Sequence, residues 1–122
     1  MRKYAQISDL IGKTLLDVKN NNNIEIKFTT KDGDVYLMYH EQDCCESVVI
    51  EEIIGDLNNL IGSPLVMAEE SSNQENGKWG DSSTWTFYKL ATLKGYVTIR
   101  WYGKSNGYYS ESVNFARITN DM

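Results

Sequence analysis

Apolar and polar residues alternate along residues 15–40, which is the pattern typical of strands with one buried face. Turn-forming residues interrupt the alternation at Asn20–Asn23 and at Lys31–Asp34. The pattern therefore predicts three antiparallel strands joined by two tight turns, preceded by a short helical turn at Ser8–Gly12. The residues expected on the buried face of these strands are Leu16, Val18, Ile24, Ile26, Phe28, Val35, Leu37 and Tyr39.

The spacing of apolar residues changes to three and four residues within Val48–Ile61, which is typical of an amphipathic helix. Gly62–Ser63–Pro64 is expected to end this helix, because proline cannot donate a backbone hydrogen bond. A strand over 65–70 and a polar loop over 71–81 follow. We therefore predict an α+β fold, a mainly antiparallel β-sheet with one principal amphipathic helix packed on it, as a single domain over residues 1–122.

The last third of the chain predicts three further strands, and side-chain polarity suggests a register for the first two. Placing Leu90 opposite Tyr96 separates apolar from polar side chains, whereas a slip of one residue mixes them. On the final strand, Val113 and Phe115 are expected in the core. The predicted core face of the first two strands carries Trp85, Phe87, Val97, Ile99 and Trp101, and the opposite face carries Thr86, Tyr88, Thr98, Arg100 and Tyr102.

Composition and charge exclude several classes of function. The formal net charge of −5 argues against a protein that wraps long DNA or RNA, because such binding requires clustered Lys and Arg side chains. The charge is uneven, with −8 over residues 1–77 and +3 over residues 78–122, so a compact anion would be attracted to the C-terminal third. No apolar run has the length of a membrane helix and no secretion signal is evident, so we expect a cytosolic protein without membrane partners.

Arg100 is the candidate centre of a ligand site. Its planar guanidinium suits a phosphate, and neighbouring tyrosine rings suit a nucleotide base. The alternative is an arginine paired with an acidic residue such as Glu111. The turn over 103–109 offers backbone and hydroxyl groups, although Ser-Asn-Gly is also ordinary hairpin chemistry. The predicted ligand-binding residues are Tyr88, Thr98, Arg100, Tyr102, Ser105, Asn106, Tyr108, Tyr109, Ser110 and Arg117.

A second cluster lies at residues 40–46, where one histidine precedes two adjacent cysteines. His40, Cys44 and Cys45 are possible metal ligands or a Cys-His dyad, but adjacent cysteines rarely bind one zinc ion together and a fourth ligand is missing. A thiol nucleophile would also need an orienting group and an oxyanion hole. We therefore predict no metal site and no catalytic residues here, but a tight, reduced loop that satisfies backbone donors.

Several segments, in order along nearly the whole chain from about Gly12 to Phe115, resemble a small phage-encoded family. The family is the first type of phage Thoeris anti-defence protein. The segments are His40–Val48, Gly55–Leu57, Leu60–Pro64, Thr84–Lys89, Gly95–Gly103 and Ser105–Ser110.

The resemblance implies a sequestering protein without catalytic activity or cofactor. Members of that family capture the cyclic ADP-ribose isomers that bacterial TIR-domain enzymes make on infection, and some hold cyclic oligonucleotides at a separate site. The implied location is the cytoplasm of the infected host, and the implied state is a homo-oligomer, either a dimer or an assembly of the hexamer-of-dimers type, with ligand between protomers.

Two alternatives to the sponge remain open from the sequence. The first is an enzyme that degrades the same nucleotide signal, using His40 with Glu41 or a cysteine. The second is a protein-interaction module whose aromatic sheet surface binds a host protein.

Overall fold

The computed structural model describes residues 1–119 and contains nine β-strands and two short 3₁₀ turns. The 3₁₀ turns are Ile7–Leu10 and Leu57–Leu60. No helix within this range is long and apolar enough to cross a membrane. The strands are β1 (Arg2–Tyr4), β2 (Leu15–Asn21), β3 (Glu25–Thr30), β4 (Val35–Tyr39), β5 (Ser47–Ile54), β6 (Met67–Asn76), β7 (Ser82–Thr92), β8 (Gly95–Ser105) and β9 (Asn114–Ile118).

The strands form two antiparallel sheets that share one hydrophobic core. The five-stranded sheet has the order β1-β9-β4-β3-β2, and the four-stranded sheet has the order β5-β8-β7-β6. Trp101 of the smaller sheet is only 1% exposed, and its indole Nε1 approaches Met38 Sδ of the larger sheet at 3.2 Å. Burial of both inner faces against each other is the principal favourable contribution to folding.

The predicted amphipathic helix is wrong, because residues 48–54 lie in β5 and the helical part of the remainder is the 3₁₀ turn Leu57–Leu60. β5 pairs with β8 and contains a register shift between Ile50 and Glu52. A bulge inserts one extra residue into the strand. Successive inward-facing positions are therefore two residues apart before the bulge and three residues apart across it. The three-residue step from Ile50 to Ile53 therefore matches a helical spacing, while the β-branched side chains of Val48, Ile50 and Ile53 favour a strand. The fold class is β, not α+β.

The predicted register of β7 and β8 is also wrong, by one residue. Leu90 lies opposite Val97 and not Tyr96, and the loop between the strands contains only Leu93 and Lys94. Because successive side chains of a strand point to opposite faces, this slip moves the whole of β7 to the other face. Trp85 and Phe87 consequently lie on the outer face of the four-stranded sheet, whereas Thr86, Tyr88 and Leu90 are buried.

In the five-stranded sheet, both predicted turns are confirmed but the buried face is only partly so. Val18, Ile26 and Phe28 are in the core, but Leu16 and Ile24 are 58% and 55% exposed. β4 is buried on both faces, because Tyr36 and Met38 join the main core while Leu37 and Tyr39 form a second cluster with Ala116. Phe115 is buried in the main core as predicted, and Val113 packs against it.

Candidate functional site

The inner face of the four-stranded sheet is polar at the end of β6 and β7 that is remote from the β7–β8 loop. Because alternate residues share a face, Ser72 lies opposite Thr86 and Gln74 opposite Thr84 in the same inward row. Two residues along the strand from Thr86, the inward row becomes apolar at Tyr88 and Leu90. The apolar half of this face suits packing in the hydrophobic core, whereas the half that carries hydroxyl groups suits contact with polar groups.

This polar half forms the floor of a cleft of about 290 Å³. The cleft is bounded by the chain segment that returns from β8 to β9, including Tyr109, Ser110 and Ser112. A second cavity of about 620 Å³ adjoins it, since Glu70 and Val113 line both. We call the first cavity the hydroxyl cleft and the pair the inter-sheet trough. Its total size is that of sites for small organic ligands.

The carboxylate of Glu111 lies at the side of the hydroxyl cleft and accepts hydrogen bonds from neighbouring hydroxyl groups. Glu111 is 6% exposed, and its Oε1 atom accepts hydrogen bonds from Ser82 Oγ at 3.2 Å and Thr84 Oγ1 at 2.7 Å. Its other oxygen accepts a hydrogen bond from the Ser105 hydroxyl. Gln74 Nε2 in turn donates to Ser82 Oγ at 3.0 Å. A carboxylate held by three hydroxyls fixes the direction of each O–H bond.

Tyr88 lies at the boundary between the polar and apolar halves. Its side chain is fully buried, and its hydroxyl has no hydrogen-bond partner among the described residues. Burial raises the pKa of the Tyr88 phenol above its ordinary value, and the nearby Glu70 carboxylate raises it further. An unpartnered buried hydroxyl beside a carboxylate that lines the trough is unusual in a folded protein.

The segment 40–46 forms a second polar cluster outside the trough. His40 Nε2 lies 2.7 Å from Glu46 Oε2, and His40 Nδ1 lies 2.6 Å from the carbonyl oxygen of Ser112. Both ring nitrogens therefore face an acceptor, one a carboxylate and the other a backbone carbonyl. The hydrogen bond from His40, together with the backbone amides of Cys44 and Asp43, lowers the pKa of Glu46 to about 2.

Cys44 and Cys45 form a disulfide with each other, which corrects the expectation of a reduced loop. Within residues 1–119, no group of three or more His, Cys, Asp or Glu side chains is arranged to hold a metal ion.

Arg100, the expected centre of the ligand site, lies on the outer face of the four-stranded sheet and not in the trough. Its Nε and Nη2 atoms donate to Glu51 and Glu52 at 2.8 and 2.7 Å. The alternative of an acidic partner is therefore realised, although the partners are on β5 and not Glu111. Thr98 and Tyr102 share this outer face, where Tyr102 contacts Trp85 at 5.1 Å between ring centroids.

The other predicted residues divide between the hydroxyl cleft and distant positions. Tyr109 and Ser110 line the cleft, and Ser105 is bound to Glu111 beside it. Asn106 and Tyr108 lie at the exposed tip of the same segment. Tyr88 is in the core, and Arg117 pairs with Asp34 on the five-stranded sheet at 2.8 Å.

The sequence analysis missed the cleft residues contributed by β6 and β7. The signal for them was the recurrence of polar residues at every second position in Glu70-Ser72-Gln74 and Ser82-Thr84-Thr86. Ser72 and Gln74 fall in the polar loop predicted over 71–81, and Thr86 falls on the predicted face opposite the core, so neither series was assigned to an inner surface.

A family comparison assigns most of the chain. Residues 8–115 match a domain of unknown function, DUF7448. No curated protein and no solved structure matches the chain. Since the match covers most of the 122 residues, the chain belongs to the DUF7448 family.

Proposed function

We propose that the protein is a phage-encoded sponge that binds a cyclic ADP-ribose-type signal nucleotide in the inter-sheet trough, without degrading it, and thereby blocks Thoeris defence in the cytoplasm of the infected host. The observation that carries the proposal is the hydroxyl cleft, where buried Glu111 holds three hydroxyls in fixed directions at an open cavity. Preorganised polar groups of this kind bind a small ligand without a large ordering cost. The resemblance to Thoeris anti-defence proteins supplies the identity of the signal.

The geometry of His40 favours capture over hydrolysis. Both of its ring nitrogens are engaged, one by Glu46 and one by the Ser112 carbonyl, and its side chain is 3% exposed. A general base needs a free nitrogen within reach of its substrate. The two cysteines are joined in a disulfide, so neither is available as a thiolate nucleophile.

The test is a capture and release experiment. The purified protein is mixed with a cyclic ADP-ribose isomer, free ligand is removed by gel filtration, and the protein is denatured by heat. We expect the isomer to be recovered chemically unchanged and in proportion to the protein. Recovery of a hydrolysed product would favour the enzyme, and recovery of nothing would favour the protein-interaction module.

We further propose that the protein is a homo-oligomer that associates through the outer face of the four-stranded sheet. Trp85, Phe87 and Tyr102 are only partly buried there, and Tyr96 is 70% exposed. Aromatic residues on an uncovered sheet face are typical of subunit contacts. Light scattering of the wild type and of Trp85→Ser tests this: the variant is expected to have a lower mass, and a monomeric wild type would contradict the proposal.

A further inference from the structure

We infer that the inter-sheet trough recognises the hydrogen-bond donors of its ligand, namely the ribose hydroxyls and the exocyclic amine of a nucleoside, and leaves the phosphates outside. This inference rests on the proposed function, because it assumes that the trough is the ligand site. It names the part of the ligand that enters and the residues that recognise it.

The first step of the argument concerns the direction of the hydroxyl protons. An ionised carboxylate can only accept, so Ser82, Thr84 and Ser105 must each point a proton at Glu111. Ser82 and Ser105 each already accept from a protein donor, the Gln74 amide and the Gly107 backbone amide, so Thr84, which lines the cleft, has the most acceptor capacity left for a ligand. On this side of the hydroxyl cleft, the protein has committed its donors internally and offers the ligand oxygen atoms to which it can donate.

The second step concerns the other polar groups of the trough. Gln74 uses its amide nitrogen on Ser82, which leaves its carbonyl oxygen as a further acceptor. Glu70 adds a carboxylate to the lining of both cavities, and none of the residues lining either cavity is Lys, Arg or His. Phosphate recognition in proteins depends on cationic side chains and N–H donors. A phosphate in this trough would meet hydroxyl donors but no cationic side chain among the described lining residues, and it would lie beside the carboxylates of Glu70 and Glu111.

The third step concerns Glu70, which lies opposite Tyr88 in the pairing of β6 with β7 and lines both cavities. Tyr88 is fully buried and lines neither cavity, so Glu70 is the member of this pair that a ligand meets. A carboxylate oxygen accepts from a hydroxyl or an amine. The position therefore favours a ribose hydroxyl or an exocyclic amine.

The experiment uses adenosine and inorganic pyrophosphate as separate competitors against the captured cyclic ADP-ribose isomer. Adenosine carries the donors without phosphate, and pyrophosphate carries the phosphates without the donors. We expect adenosine to bind the protein directly in calorimetry and to displace the isomer, whereas pyrophosphate at the same concentration displaces none. Displacement by pyrophosphate alone would overturn the inference and leave the sponge intact.

Two charge-matched variants on the same strand identify the residues. In Glu70→Gln the trough loses the carboxylate that lines both cavities. Adenosine affinity is expected to fall about tenfold or more, since a hydrogen bond to a charged acceptor is replaced by a hydrogen bond to a neutral acceptor. In Glu75→Gln an exposed carboxylate of β6 is changed instead, and affinity is expected to stay as in the wild type. Equal affinity of both variants would contradict the role of Glu70.

The outcomes separate this inference from the proposal on which it rests. Capture of the isomer without adenosine binding overturns the inference alone. Adenosine binding without capture of the isomer overturns the sponge but supports the chemistry assigned to the trough. Absence of both, in protein shown to be folded by circular dichroism, overturns both.

Discussion

Two buried carboxylates of this protein, Glu46 and Glu111, are satisfied in opposite ways. Glu46 is hydrogen-bonded to the His40 imidazole and accepts from two backbone amides, and its side chain is inaccessible. Glu111 accepts only from hydroxyls, and it lines an open cleft. Burial of a carboxylate is costly unless charge or hydrogen bonds compensate it. Both are compensated, but only the Glu111 partners retain lone pairs that face a cavity.

The difference separates a structural cluster from the cleft that we propose as the binding site. The Glu46 cluster joins β4 to the segment before β9, because His40 also binds the carbonyl of Ser112. Ser112 in turn contacts Ser110 at 2.7 Å between their hydroxyl oxygens, and both line the hydroxyl cleft. The first cluster therefore holds in place one wall of the second, and the two are expected to respond differently to mutation.

The largest effect is expected from His40→Ala. This change leaves the buried Glu46 carboxylate without its imidazole partner and removes the contact with the Ser112 carbonyl, so the melting temperature should fall by about 10 °C or more. Differential scanning calorimetry measures it. Glu41→Ala is the control, because Glu41 is exposed and its carboxylate meets only the Tyr4 hydroxyl at 3.1 Å. Similar melting temperatures for both variants would remove the structural role of His40.

A smaller loss of stability, about 2 kcal/mol, is expected from Glu111→Ala, because three hydroxyls lose their acceptor beside a cavity that opens to solvent. Urea unfolding gives the free energy change, and the capture assay should show loss of ligand binding. His40→Ala, measured below its melting temperature, should retain more binding than Glu111→Ala. The reverse order of binding would place the ligand at the His40–Glu46 cluster and contradict the site at Glu111.

Acid should destabilise the protein through Glu46. Its pKa is lowered from 4.5 to about 2 in the folded state, so the unfolded chain binds the proton more readily. The stabilisation is fully present above pH 4.5 and is lost progressively as the pH falls toward 2. Urea unfolding of the wild type should show this decline, and Glu46→Gln should flatten it. An unchanged slope in the variant would assign the acid sensitivity to other carboxylates.

The smallest effect is expected from Arg100→Ala. The ion pairs with Glu51 and Glu52 are partly solvent-exposed, and such pairs contribute less than about 1 kcal/mol. Ligand capture should be unchanged, because Arg100 lies on the opposite face of the sheet from the trough. Lost capture in a folded Arg100→Ala protein would return the ligand to the outer face and contradict the site proposed here.

Local chemistry could be read from the sequence, whereas spatial placement could not. The Asn20–Asn23 turn was predictable because Asn22 and Asn23 take positive φ angles of 54° and 61°, which asparagine tolerates. The bulge in β5 was not, because one inserted residue makes a strand repeat like a helix. The length of the β7–β8 loop decided which face of β7 is buried, and a two-residue loop at Leu93–Lys94 lacks the usual turn residues.

The candidate site was only partly predictable for a related reason. Ser105, Tyr109 and Ser110 were identified because they lie in one glycine-rich segment; Tyr109 and Ser110 line the hydroxyl cleft, and Ser105 is hydrogen-bonded to Glu111 beside it. Their partners on β6 and β7 look like ordinary solvated positions in the sequence. Only the pairing of β6 with β7 and the return of Glu111 over them reveal that these side chains face inward.

Strand β6 has a consequence for the behaviour of the protein in a crowded cell. It is a ten-residue edge of the four-stranded sheet, and nearly all of it is exposed. A bare edge of this length invites copies to join strand to strand into fibres, but Glu69, Glu70 and Glu75 give each edge like charges that repel. The sponge proposed above would have to accumulate to the abundance of its ligand, and this charged edge is compatible with such accumulation.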